Sequence, residues 1–195
     1  MAEKPILMTG WSVQRIRAKQ KTQTRRLSGL QEVNKEPDNW TFLGFNEVGE
    51  ARFQWGVTCK PRYQIGDLLW VREAWCSGDE WDDTKPSEID PLICSDIWYF
   101  ADGPRPTEGW GKTRPAIFMP KWATRIWLEI TGIRVERVQD ISITDLWAEG
   151  LEFGVGATSQ GFIQWIQLWD SLNAKRGYPW KSNPWVRAIE FRRCK

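Results

Sequence analysis

The sequence predicts an α+β fold in one domain over residues 1–195, and three observations carry that expectation. Residues 124–138 alternate apolar and polar side chains, the period of a strand with one buried face. Residues 159–175 set Phe162, Trp165, Ile166, Trp169 and Leu172 at helical spacing. The elements run as strands, then helices, then a closing strand. That order does not alternate βαβ, which argues against a parallel nucleotide-binding sheet, and no glycine-rich phosphate loop is present.

Taken along the chain, residues 5–9 form a short first strand, broken at Gly10, with Ser12 able to cap a helix. Trp11, Val13, Ile16 and Ala18 supply a partial apolar face up to Gln20, and the chain becomes extended from Thr22 to a stop at Ser28-Gly29. Residues 40–43 and 51–55 are short extended pieces between Gly44, Gly49 and Gly56, which predicts one hairpin. Gly66-Asp67 leads into a strand over 68–75. Residues 77–115, rich in Gly, Pro and Asp, read as a long excursion holding one strand at 97–100. Residues 115–120 read as extended. In the 124–138 strand, Gly132 marks a bend or bulge, so one long strand can serve two sides of a small barrel. Ser142 and Asp145 form a capping pair for a short helix that stops at Gly150. Gly177 ends the long helix, and a final strand occupies 185–191.

Composition excludes several chemistries. The chain has fifteen Trp and no His. Without imidazole, Ser-His-Asp and Cys-His sites are impossible, and proton transfer falls to Lys, Glu, Asp, Tyr, Cys or water. Cys59, Cys76, Cys94 and Cys194 form no Cys-x-x-Cys pair, so free thiols, no metal and no cofactor are expected. No segment is apolar enough to span a bilayer and no signal-peptide pattern opens the chain, so a cytoplasmic location is expected.

Net charge is only +2, yet Arg15, Arg17, Lys19, Lys21, Arg25 and Arg26 crowd into one stretch with no acid between Glu3 and Glu32. Such a stripe attracts phosphates and other anions. Within it, Lys21, Thr22, Thr24, Arg25 and Arg26 bring an amine, two hydroxyls and two guanidiniums together. Arg72 and Glu73 stand at the far end of the 68–75 strand, where a strand can present groups to a cleft. Trp11, Trp70 and Trp75 are the tryptophans nearest these groups in sequence, and an exposed Trp can stack on a base.

Positions 19–26, Lys-Gln-Lys-Thr-Gln-Thr-Arg-Arg, resemble the Gly-x-Lys-x-x-Thr-x-Arg motif of the ASCH family through Lys21, Thr24 and Arg26, with Lys19 in the place of the glycine. Gly66-Asp67 before a strand, Ala148-Glu149-Gly150 ending a small helix and the closing strand of residues 186–191 are similar to three further family landmarks, in the same order. The resemblance implies a PUA-like small β-barrel with flanking helices, carrying insertions at about 28–64 and 77–115, as in the longer members encoded by phages and prophages.

Function follows from the resemblance in two classes. Many PUA-like domains bind RNA. Some ASCH proteins are enzymes, either an acetylcytidine amidohydrolase using Lys, Thr and Glu, or a ribonuclease. The first expectation is therefore an RNA-, nucleoside- or nucleotide-binding protein, with Arg15, Lys19, Lys21, Arg25, Arg26 and Arg72 meeting phosphates and Trp11, Trp70 or Trp75 stacking on a base. The alternative is a hydrolase with Lys21 as base, Thr24 as activated hydroxyl and Glu149 or Glu73 moving the proton. The family's carboxylate falls by spacing on Leu151, between Glu149 and Glu152, so its identity stays open. The hydrolase also requires a turn across residues 21–24, because an extended chain points Lys21 and Thr24 to opposite faces. A third class is a protein-interaction factor that grips a partner with the long loops.

Overall fold

The computed structural model describes residues 1–94, 96–105, 108–154 and 156–194. The elements run β1 (Glu3–Leu7), α1 (Gly10–Arg17), β2 (Gln23–Arg26), β3 (Phe42–Phe45), β4 (Ala51–Phe53), β5 (Thr58–Cys59), β6 (Leu68–Arg72), β7 (Trp75–Ser77), β8 (Ile97–Tyr99), β9 (Trp127–Arg137), α2 (Ile143–Ala148), α3 (Thr158–Asn173) and β10 (Trp185–Arg193), with short 3-10 turns between them. The fold is α+β with mixed strand pairing. The chain forms two compact units: Met1–Lys19 with Asp67–Glu129 and Arg192–Lys195, and Gln20–Gly66 with Ile130–Phe191.

In the first unit β1 runs parallel to β6, with Ile6 opposite Val71, and the start of β9 pairs antiparallel to β6, with Leu69 opposite Leu128. Thr9, not Ser12, caps α1: its hydroxyl accepts the Ser12 amide at 3.1 Å. Thr9 has the extended backbone an N-cap needs, and Gly10 is simply the first helical residue. Val13 and Ile16 are the helix's buried face. β7 and β8 pair antiparallel over a core of Trp75, Ile89, Cys94, Met119 and Ala123. Residues 116–118 form a 3-10 turn where an extended piece was expected, because Phe118 and Met119 donate back to the Pro115 and Ala116 carbonyls.

In the second unit β10 lies between the later part of β9 and β2. Arg26 stands opposite Arg187 and Thr24 opposite Ile189. The expected hairpin is β3–β4, and β5 adds a third strand. Leu30, Val33, Phe53, Cys59, Val135 and Trp185 fill the core beneath it. α2 packs against α3. Ser142 caps α2 through a reciprocal box with Asp145, and Gly150, at φ 94°, takes the left-handed step that ends it. Among the described residues the strands of neither unit close on themselves, so the expected closed barrel is absent. At the entry to β2 the Thr22 amide is taken by the Ala148 carbonyl (2.8 Å) of α2 rather than by a further strand.

Candidate functional site

Strand alternation decides which groups of the basic stretch meet. Residues two apart share a face. In the second unit Lys21, Gln23 and Arg25 reach the carboxylates of α2 and β9. The Lys21 amine donates to Glu149 Oε2 at 2.5 Å and to the Glu149 carbonyl at 2.9 Å. Arg25 donates to Glu149 Oε1 (3.1 Å), to Glu136 Oε1 through Nε (2.9 Å) and Nη2 (2.5 Å), and to the Gln23 side chain (2.8 Å), with Asp145 3.2 Å away. The Arg25 guanidinium also lies 5.7 Å from the Trp165 ring centre.

The cluster extends through Arg134, which pairs with Glu136 (2.8 Å), Asp145 (2.5 Å) and Glu190 (2.5 Å), while Gln23 donates to Asp145 at 3.1 Å. α2 supplies two of the acids from its ends: Asp145 in its first turn and Glu149 as its C-cap.

Burial sets the electrostatics. Lys21 is 4 % exposed and Glu149 2 %. Loss of water pushes the Lys21 amine below its ordinary pKa; Glu149 opposes that shift, and Arg26 and Arg25 reinforce it. Arg26 is half-buried and is lowered in the same way, first by burial, with Glu149 acting against it. Burial also works against ionisation of Asp145, but hydrogen bonds from Ser142 and the charge of Arg25 outweigh it and hold the carboxyl at about 2.

Beside this cluster lies a cavity of about 330 Å³ lined by Thr22, Gln23, Thr131, Thr144, Asp145 and Glu190. Its walls offer hydroxyls, an amide and carboxylates, groups that orient a polar ligand. Among the described residues no group of three or more Cys, Asp and Glu side chains is placed to hold a metal ion.

The remaining sequence-predicted residues divide between the units. Thr24 is buried in the second unit, and alternation within β2 sets it on the face opposite Gln23 and Arg25. The extended backbone of β2 therefore separates Thr24 from the Lys21 face. Leu151 is buried, and Glu152 accepts from Gln20 (2.5 Å) at the surface.

In the first unit Glu73, 1 % exposed, is clamped by Arg125 through two bonds of 2.9 Å each. Arg125 also binds Asp102 (2.5 and 3.0 Å), and its guanidinium lies 3.9 Å from the Tyr99 ring centre. Arg17 closes the group on Asp102. Burial, opposed by Arg125, pushes the Tyr99 phenol to about 12. Glu73 is thus the fixed partner of an arginine.

Trp75 corrects another expectation. Its ring is wholly buried among Ile89, Met119 and Trp122, so it offers no face to a base. Trp70 is buried too, with the Arg72 guanidinium 4.4 Å from its ring. Arg72 also donates to the Ile117 carbonyl (2.9 Å). Trp11 is half-buried with Arg15 5.7 Å from its ring. Lys19 is exposed at φ 61°, the left-handed conformation that a glycine adopts without cost.

Gln23, Arg134, Glu136, Asp145 and Glu190 belong to the cluster and were not read as site residues. Arg134 and Glu136, two apart in an alternating strand, carried the available signal: two opposite charges on one face need partners.

No family model matches the chain, and no curated protein matches it. Among solved structures it is similar to protein EF3133 from Enterococcus faecalis V583, described as DUF984, at 9% identity and a TM-score of 0.44, over 98% of this chain and 75% of that one.

Proposed function

We propose that the chain is an ASCH-type, PUA-like protein that binds a nucleoside-type small molecule in the polar cavity beside the Lys21–Glu149–Arg25 cluster. The observation that carries this reading is the wall of that cavity: threonine hydroxyls, the Gln23 amide and the Asp145 and Glu190 carboxylates. Such groups recognise sugar hydroxyls and the exocyclic amines of bases. The two carboxylates repel phosphate. Lys21 and Arg25 are bonded to internal carboxylates, so these two cations contribute little free positive charge to a nucleic-acid backbone. A single nucleoside therefore suits the site better than a polymer.

The test is calorimetric titration with cytidine, acetylcytidine and a single-stranded RNA at two salt concentrations. Nucleoside binding with little salt dependence is expected. Thr131→Trp, at an exposed wall position, fills the cavity and abolishes it. RNA binding that falls steeply with salt and survives in Thr131→Trp would replace this reading with phosphate contact.

One observation favours a second reading, hydrolysis of an exocyclic amide: the buried Lys21 amine, with a lowered pKa, rests on Glu149. A neutral amine there accepts a proton from water as the oxygen adds to the amide carbonyl carbon. The C–N bond then breaks as that proton passes to the leaving nitrogen, giving acetate and the free base amine. Thr24, on the opposite face, takes no part in this step. Release of acetate from acetylcytidine, lost in Lys21→Met while binding persists, is the expected result. Turnover retained in Lys21→Met rules out the amine as base.

A further inference from the structure

The opposite face of the second unit's sheet carries a buried arginine with few partners. Arg187 on β10 is 2 % exposed, yet among the described residues it makes no ion pair. Nη2 donates to the Cys59 carbonyl at 2.7 Å, whereas Nε and Nη1 are buried without a hydrogen-bond partner. A guanidinium taken out of water with one neutral acceptor is strongly disfavoured unless an anion compensates it.

Arg187 forms part of the wall of a cavity of about 530 Å³, whose other walls include Phe45, Val48, Tyr63, Ile65 and Ile133. Phe45, Val48 and Ile65 are exposed apolar side chains at this cavity, all contributed by or near the β3–β5 insertion. The positive charges of Arg62 and Arg26 reach the Tyr63 phenol, while Glu47 adds one negative charge to the wall. Apolar walls with one under-partnered cation match a ligand with an apolar body and a single negative charge, and Glu47 disfavours a dianion.

We propose that this cavity is a binding site for a small apolar carboxylate, with Arg187 receiving the carboxylate and Phe45, Val48 and Ile65 covering the hydrocarbon. It is independent of the nucleoside site proposed above, because it rests on other residues.

The probes are phenylacetate, phenylacetamide and phenyl phosphate, titrated against the full chain by calorimetry and ligand-observed NMR. Phenylacetate is expected to bind at least about tenfold more tightly than the amide, a difference of about 1.4 kcal/mol. Arg187→Gln should erase that preference. Should that variant fail to fold, Val48→Asp serves instead: the position is exposed, and a carboxylate there should weaken the acid more than the amide, so that the preference shrinks. Equal affinity for acid and amide, tighter binding of phenyl phosphate, acid preference unchanged in both variants, or no binding of any probe would each overturn the proposal. In the last case buried water, not a ligand, satisfies Arg187.

Discussion

Each unit contains an arginine held between carboxylates and an aromatic ring, and the second alone adds a lysine to it. In the first unit Arg125 joins Glu73 and Asp102 over Tyr99. In the second, Arg25 joins Glu136 and Glu149 beside Trp165, and Lys21 shares Glu149 with it. A guanidinium keeps its proton at any ordinary pH, whereas an amine releases one when burial lowers its pKa. The first cluster joins its acids through guanidiniums alone. The second adds an amine whose pKa burial lowers, and it adjoins a polar cavity. That amine and that cavity are what set the second cluster apart.

The largest effect is expected from Glu149→Ala. It strips two buried cations of their carboxylate and should cost about 3–5 kcal/mol, read as a lowered urea midpoint. A loss below about 1 kcal/mol would show that the cluster contributes nothing to stability.

A matched pair of substitutions then sharpens the contrast. Arg125→Met leaves Glu73 buried without its clamp and should cost about 3 kcal/mol, read as a lowered urea midpoint. Lys21→Met leaves Glu149 still paired with Arg25 and should cost only about 1 kcal/mol. The folded state binds the Lys21 proton more weakly than the unfolded chain, whose lysine keeps its ordinary value of 10.5. Stability from this group therefore rises as pH increases toward 10.5, and Lys21→Met should lose that slope.

Asp145 gives the opposite sign. Its folded pKa of about 2 lies below the ordinary 3.8, so its contribution is complete above 3.8 and is lost as pH falls through about 2. Ser142→Ala, which removes the hydroxyl that binds Asp145, should move acid unfolding to higher pH, as followed by circular dichroism.

The smallest effect is Lys19→Gly. Relief of the left-handed backbone should exceed the added freedom of the unfolded chain and raise stability by about 0.5 kcal/mol in thermal melts. A loss instead would mean that the Lys19 side chain is held by contacts worth more than the strain.

What was legible in the sequence was local. The capping box at Ser142, the Gly150 stop, the helix through Trp165 and Trp169, and the alternation around Gly132 all depend on residues within a few positions of one another. Lys21 was singled out by motif, but Glu149, 128 positions away, remained one of two acids until strand pairing brought α2 beside it. Arg25 could not be read as a buried ion-pair residue, because its acids lie 111 and 124 positions along the chain. Trp75 and Glu73 were not legible for the same reason: a strand end adjoins whatever packs on it, and Ile89, Met119, Ala123 and Arg125 supplied that packing.

Asp145 has two roles that no change at its own position can separate. It opens α2 by bonding back to Ser142, and it also receives Gln23, Arg25 and Arg134. Whatever drift loosens the helix's start also unbalances the charges around the cavity. Helix start and charge cluster thus rest on one side chain, and a change that relaxes the charges while keeping the helix is tolerated better at Gln23 or Arg134 than at Asp145 itself.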